Sequence, residues 1–371
     1  MKYYIIAGEA SGDLHGAMLI TELRKLDPNA EIRFWGGDLM QKAGGTLVKH
    51  YRELAFMGFA EVVLNLKTIL RNIDICKADI SQFKPDALIF IDYPGFNMRI
   101  AKWAKVQGYR THYYISPQIW AWKESRIKAI RRDVDKMYVI LPFEKEFYEE
   151  KHKFDVTFVG HPLVDAINNH PEFDETEFRN RYHLGHQPII ALLPGSRKQE
   201  IVKMLSIMLS VVNDFPDYKF VIAGAPGQDD SFYSQFLTND HVAFIPNQTY
   251  SLLRISSAAL VTSGTATLET ALFKVPEVVC YKGSWVSYQI AKRIITLKYI
   301  SLVNLIMDKP IVTELIQSDF NTKRVSEELK KLFEPANRKR ILADYNELQL
   351  NLGGGGAAKK TAEAIFSDFT K

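Results

Sequence analysis

GEASGDLHG, residues 8–16, sets two carboxylates, a hydroxyl and an imidazole directly behind a short apolar run, MKYYIIA. Its glycines permit close backbone approach, and the amides of a helix starting there offer a site for an anion or a hydroxyl. The spacing is not GxGxxG, so a dinucleotide is a poor fit. Glu9 and His15 are the side chains that can orient sugar hydroxyls or move a proton. A second stretch, FIDYPGFN at 90–97, ends a buried run at Asp92. A carboxylate there serves as a general base or as a loop cap. In LLPGSRKQE, Arg197 follows a strand and can form charge-assisted bonds to phosphate, the alternative being a surface arginine in a helix-starting turn. In VTSGTATLE, Ser263, Gly264 and Thr265 open a helix whose free amides and dipole suit a diphosphate. One turn later Glu269 can accept both hydroxyls of a ribose, or is simply a solvated helix acid.

The elements that must position these groups alternate. In the first half, strand runs YYIIA, EIRFWG, DALIFID, THYYIS, DKMYVIL and VTFVG are separated by helical patterns, among them one from about His15 to Leu26 and one near Arg99 to Gln107. Such alternation predicts a parallel sheet with helices on both faces. The pattern lapses into turn residues around GHPLVDAINNHPEFDE, which marks an interdomain linker, and restarts with PIIALLPGSR, KFVIAG, HVAFIP, AALVTSGTATLE and PEVVCYKG. The expectation is an α/β protein of two Rossmann-like domains, 1–165 and 166–345, whose strand ends make a cleft. Residues 346–371 contain a glycine run and then a helix with Ala362, Ile365, Phe366 and Phe369 on one side, which needs a partner surface.

Composition narrows the classes. The chain has 371 residues, 47% hydrophobic and 24% charged, which excludes disorder and allows two domains. A net charge of +4 argues only weakly for an anionic partner. Two cysteines are too few for a disulfide framework and fit a reducing compartment. No window approaches the roughly 20 apolar residues of a membrane span, and the first residues read as a strand rather than a signal peptide. No nucleic-acid reading motif accompanies the basic residues.

GEASGDLHGA, IDYPGFN, YYISPQIWAWKESRIKAI, LPFEKEFY, GHPLVD, LLPGSRKQEI, TSGTATLETAL and SLVNLIMDKPIVTELIQ stand in the order and spacing of the lipid-A-disaccharide synthase family. The resemblance runs from Lys2 to about Gln317, with a weaker fit through the terminal helix. It implies a GT-B fold, two Rossmann-like domains facing across a cleft, with the C-terminal helix returning to the N-terminal domain. It also implies an inverting glycosyltransferase, needing neither metal nor cofactor. The donor is UDP-2,3-diacylglucosamine, and the acceptor is the 6-hydroxyl of 2,3-diacylglucosamine 1-phosphate. Asp92 is then the base, with Glu9 and His15 in reserve. Arg197, Ser263, Gly264, Thr265 and Glu269 hold UDP, and Gly12, Asn97, Asn304, Glu314 and Gln317 line the sugars. Two positions depart from the family pattern: Val303 stands where proline is frequent and Gly95 where an acid is.

Acyl chains need an apolar entrance. Val62, Val63, Leu66 and Ile69 recur at nearly helical spacing, and Met57 and Phe59 exceed what one buried face requires, so the stretch is a candidate lipid entrance or simply a core-facing amphipathic helix. Trp120 and Trp122, followed by Arg131 and Arg132, suit a headgroup interface, a solvated basic helix, or the acceptor phosphate. The resemblance thus implies a cytoplasmic enzyme lying peripherally on the inner membrane, its oligomeric state open. Two rivals remain: a UDP-N-acetylglucosamine 2-epimerase of the same fold, and a non-catalytic nucleotide-sugar or lipid-binding module.

Overall fold

The structure, a computed structural model, describes residues 1–54, 66–225, 228–283 and 298–370. The chain divides into two compact units: unit 1 is Met1–Asp165 with Leu352–Lys371, and unit 2 is Ala166–Asn351.

Unit 1 carries strands β1 (Lys2–Ala7), β2 (Glu31–Gly36), β3 (Thr46–His50), β4 (Ala87–Ile91), β5 (Arg110–Tyr114), β6 (Lys136–Val139) and β7 (Thr157–Phe158), ordered β3-β2-β1-β4-β5-β6-β7. All pairings are parallel. The continuous apolar runs follow from that: a parallel strand covered on both faces has no polar side, and every residue of β4 is buried. Unit 2 carries β8 (Ile189–Leu193), β9 (Lys219–Gly224), β10 (Val242–Pro246), β11 (Ser256–Thr262), β12 (Glu277–Tyr281) and β13 (Thr313–Ile316), ordered β10-β9-β8-β11-β12-β13 and again parallel. Each sheet reverses its winding once, between β1 and β4 in unit 1 and between β8 and β11 in unit 2. Ligands of doubly wound sheets bind outside the strand ends at such a reversal.

Several elements differ from the sequence expectation. The opening helix spans Ala10–Leu26 and the one after β4 spans Pro94–Val106, each starting earlier than periodicity indicates. Pro94 at the first helical position explains the second case, since its fixed φ suits a helix start and its missing N–H costs nothing there. The turn-rich stretch after Gly160 contains a helix, Pro162–Asn168. Unit 2 runs to Asn351 rather than 345, because helix Pro335–Asn351 is unbroken and buries Ile341, Tyr345 and Leu348.

The glycine run is a shaped turn. Gly353, Gly354, Gly355 and Gly356 all have positive φ, at 88, 68, 107 and 79°, a succession that side-chain-bearing residues resist. It delivers the terminal helix, Ala357–Ser367, onto the opening helix, burying Ala357, Ala358, Ala362 and Ile365. Phe366 and Phe369 are half-buried, Phe369 against the His112 ring. Asp165 caps this helix: its carboxylate accepts from the amides of Gly356, Ala357 (2.8 Å) and Ala358 (3.5 Å). The aspartate of GHPLVD therefore closes unit 1.

Candidate active site

At the reversal of unit 1, Ala7 of β1 lies in register with Ile91 of β4, so Glu9 and Asp92 follow paired strand ends. Asp92 and Tyr93 both adopt left-handed backbone, φ 44 and 48°. Consecutive left-handed non-glycine residues store strain of about 1–3 kcal/mol each and persist only where the surroundings hold them. Here the Asp92 amide donates to the Tyr114 carbonyl (3.1 Å), while the Asp92 carbonyl accepts from Asn97 Nδ2 and the Tyr113 hydroxyl, both at 2.7 Å. Asn97 is fully buried and also reaches the carbonyls of Ile91 and Ile6. It therefore positions the turn rather than lining a sugar.

Burial, and secondarily the charge of Glu9, push the Asp92 carboxyl up to about 6. Burial takes His15 the other way, down to about 4, and the nearby His161 to about 3. His15 is thus neutral at physiological pH and a weaker base than Asp92. Glu9 is exposed and stands at the start of the opening helix.

The glycines of GEASGDLHG face protein. A Cβ on Gly8 would lie 2.3 Å from the Tyr93 ring, on Gly12 3.0 Å from the Ala7 Cβ, and on Gly16 2.6 Å from Met40 Sδ. Gly12 is therefore a packing position and not the sugar contact anticipated for it. Asp13 is buried and accepts from the amides of Gly37, Leu39 and Met40, capping the short helix Asp38–Lys42. Gly95 is exposed, and a Cβ there meets nothing within 4 Å, so its departure from the acid disturbs no packing.

At the reversal of unit 2 the same strand-turn-helix arrangement leaves room. A cavity of about 310 Å³ is walled by Gly195 and Ser196 after β8, by Thr262 to Ala266 after β11, and by Glu269. Gly264, φ 153°, precedes helix Thr265–Leu272, and a Cβ on it meets nothing within 4 Å. The buried Thr262 hydroxyl has no hydrogen-bond partner among the described residues. Glu269 accepts a bond from the Tyr250 hydroxyl (3.1 Å), and burial raises its carboxyl above the ordinary range. Tyr250 escapes sequence reasoning because it sits in no motif, and Thr262, inside VTSGTATLE, because nothing in the spacing marks its hydroxyl as unpartnered.

Ser263 Oγ donates to the Ile300 carbonyl (2.9 Å), tying the cavity floor to the segment after it. Arg197 is exposed and lines an adjoining basic cavity of about 510 Å³ with Lys198, Lys203 and Lys282, Glu200 being common to both.

Asn304 and Glu314 are engaged internally. Asn304, 1% exposed, donates from Nδ2 to Val312 O and Glu314 Oε1 and accepts at Oδ1 from the amides of Ile311 and Val312. Glu314 also accepts from the amides of Ile300 and Ser301, both at 2.9 Å. Together they shape the segment that Ser263 holds. Val303 is buried in that segment's helix, Leu302–Met307. Gln317 has φ 54°, and its buried Nε2 has no partner among the described residues.

Of the lipid-contact residues, Met57, Phe59, Val62 and Val63 lie outside the described residues, and Leu66 opens helix Leu66–Phe83. Ile69 packs partly buried against the core. Trp120 is a correction: its indole N–H donates to Glu144 (3.2 Å), a buried acid that also binds Ser116 Oγ and the amides of Ile140 and Leu141. Trp122 is 43% exposed and flanked by Lys123 and Arg126 at 4.3 and 5.4 Å from its ring. Arg131 is exposed, while Arg132 forms a paired contact with Asp133, both bonds at 2.6 Å. Among the described residues no helix is long and apolar enough to cross a membrane.

The sequence pattern of the family described as Lipid-A-disaccharide synthetase matches residues 3–366. Lipid-A-disaccharide synthase of Coxiella burnetii (strain CbuG_Q212) is 37% identical over 367 residues, covering 97% of this chain and 96% of that protein. The Syntrophus aciditrophicus (strain SB) protein of the same name is 39% identical over 370 residues, 96% and 95% covered. Among solved structures, UDP-GlcNAc 2-epimerase from Neisseria meningitidis bound to UDP-GlcNAc superposes with TM-score 0.70 at 14% identity, covering 99% of this chain and 100% of that one. The calicheamicin glycosyltransferase CalG4 does so with TM-score 0.63 at 14% identity, covering 100% and 99%. At such identities the likeness is one of fold.

Proposed function

This chain belongs to the lipid-A-disaccharide synthetase family, and on that premise we propose how its two strand reversals divide the work of a glycosyl transfer. Its fold is GT-B, and it is a glycosyltransferase of lipid A disaccharide synthesis. The donor is UDP-2,3-diacylglucosamine and the acceptor 2,3-diacylglucosamine 1-phosphate. The acceptor's 6-hydroxyl oxygen attacks the donor anomeric carbon while the bond from that carbon to the diphosphate oxygen breaks. UDP leaves with the electron pair, and the configuration inverts.

Asp92 takes the hydroxyl proton. A carboxyl near 6 is a better base than an ordinary aspartate near ~4, yet it is ionised at neutral pH. Glu9 sustains that value by its charge and orients sugar hydroxyls. The free amides at Gly264 to Ala266, with the dipole of helix Thr265–Leu272, receive the diphosphate, and Arg197 adds a mobile cation. Glu269 takes the ribose hydroxyls while Tyr250 holds its other face. Asn97, Asn304 and Glu314 position loops, and Gln317 offers its unpartnered amide to the donor sugar. Trp122, Lys123, Arg126 and Arg131 rest on the anionic inner face of the cytoplasmic membrane.

The observation that carries this reading is the strained, partly buried carboxyl at Asp92, after β4 at the winding reversal. Purified protein given both lipid substrates is expected to release UDP and disaccharide 1-phosphate, and Asp92→Asn to lose transfer while retaining UDP binding. Turnover of UDP-N-acetylglucosamine to its 2-epimer, or full transfer by Asp92→Asn, overturns it.

A further inference from the structure

At the opposite end of the unit 2 sheet, where β12 and β13 begin, lies a separate cavity of about 280 Å³. Glu277, the first residue of β12, and Thr313, the first of β13, stand in its wall with Glu328 and Lys331 from helix Thr322–Phe333 and Arg340 from helix Pro335–Asn351. Glu277 is fully buried, and neither of its carboxyl oxygens has a hydrogen-bond partner among the described residues. Buried carboxyls are ordinarily paired, because desolvating one without compensation is costly.

The cations nearby are already matched. Lys331 Nζ bonds Glu328 at 2.8 Å, and Arg340 bonds Asp344 at 3.1 Å and Asn337 Oδ1 at 3.0 Å. Thr313 Oγ1 donates to Glu328 (3.1 Å). The unmatched group in this cavity is therefore an acid. A second acid in the wall, Glu334, is exposed and has no ion pair among the described residues.

We infer that this cavity is a binding site for a small aliphatic ammonium ion, its nitrogen held by Glu277 and its methylenes packed on Ile311, Leu332 and Ile341. A carboxylate only accepts hydrogen bonds, and an ammonium brings three donors and a compensating charge. An anion brings neither a hydrogen-bond donor nor a charge that could pair with an ionised Glu277. A metal ion wants several such ligands, and among the described residues no group of three histidine, cysteine or acidic side chains stands together. The apolar side chains in this mixed wall give a carbon chain a surface that a bare ion does not use, and a second ammonium finds Glu334.

Burial holds the Glu277 carboxyl well above its ordinary range, so ammonium entry transfers its proton to the buffer. The titratable or charged groups facing it are Cys280 on its own strand, Glu328, Lys331 and Glu334, and Arg340 and Tyr345 on the last helix of unit 2.

Calorimetric titration of the full chain with putrescine at pH 8, in two buffers of different ionisation enthalpy, tests the site. One saturable event with proton release is expected, at least tenfold weaker in Glu277→Gln and unchanged by saturating UDP. No saturable heat, an effect reproduced by sodium chloride at equal ionic strength, equal affinity in the variant, or displacement by UDP overturns it. Circular dichroism checks the variant's fold. Should it unfold, proton release in the wild type decides, and its absence overturns the assignment.

Discussion

Units 1 and 2 reverse their strand order at matching places, β1 against β4 and β8 against β11, and then use the reversal in opposite ways. In unit 1 the glycines of GEASGDLHG are filled in by neighbours: Tyr93, Ala7 and Met40 occupy the space a side chain would need. In unit 2, Gly264 faces open space and opens a helix onto a cavity of about 310 Å³. One reversal spends its tight packing on holding a carboxylate in a strained turn, and the other keeps backbone amides free for something that arrives. Glycine beside a strand end thus has two physical meanings, told apart by what lies within van der Waals reach.

The sharpest way to break this contrast is at Asp92. Asparagine tolerates left-handed backbone, so Asp92→Asn keeps the turn while removing the base. Transfer is expected to fall 10²- to 10⁴-fold, roughly what a general base contributes, with UDP affinity by titration unchanged. Stability should move the other way. The folded-state carboxyl sits above its unfolded value, so the fold holds that proton more tightly and loses stability as pH rises from about 4 to about 6, then levels. Urea unfolding at pH 8 should therefore show the variant more stable by about 1–3 kcal/mol.

The same ionisation predicts a pH profile: kcat/KM drops about tenfold per unit below pH 6. A profile flat from pH 5 to 8 removes Asp92 from the chemistry. On the other side, Glu269→Gln is expected to weaken UDP binding roughly ten- to a hundredfold without altering that profile, since a charged hydrogen bond contributes about 1.5–3 kcal/mol. Tyr250→Phe should do less. Gly8→Ala forces the Tyr93 ring aside and should slow transfer severalfold and cost about 1–3 kcal/mol of stability, leaving UDP affinity intact. The smallest effect is Glu9→Gln, which lowers the midpoint of the pH profile by removing the secondary cause of the Asp92 shift.

The two sheets were legible because buried parallel strands leave continuous apolar runs, and Asp92 stood out as the polar residue ending one. Helix starts were not, since the extended backbone at Glu9 and the left-handed turn ahead of Pro94 set them rather than apolar spacing. Gly12 and Gly16 look like ligand-facing glycines in the motif, although small residues four apart on a helix lie on one side and signal close packing, while Gly8 precedes the helix. Asn97, Asn304, Glu314 and Trp120 look like ligand contacts in a list of polar and aromatic residues. Only their partners, carbonyls, amides and the buried Glu144, reveal them as internal fasteners. Those partners are up to tens of residues away, beyond any local pattern. Asp165 is the same lesson, its target lying 191 to 193 residues downstream.

That distant cap orders events during synthesis. Unit 2 is made of one uninterrupted stretch, whereas unit 1 is completed only by Leu352–Lys371, the last part of this sequence to be made. Until residues 352–370 emerge, the opening helix presents bare apolar surface, and Asp165 has nothing to hold. Removing residues 352–370 therefore strips the cover from the opening helix of unit 1 and leaves the whole of the unit 2 stretch, Ala166–Asn351, in place.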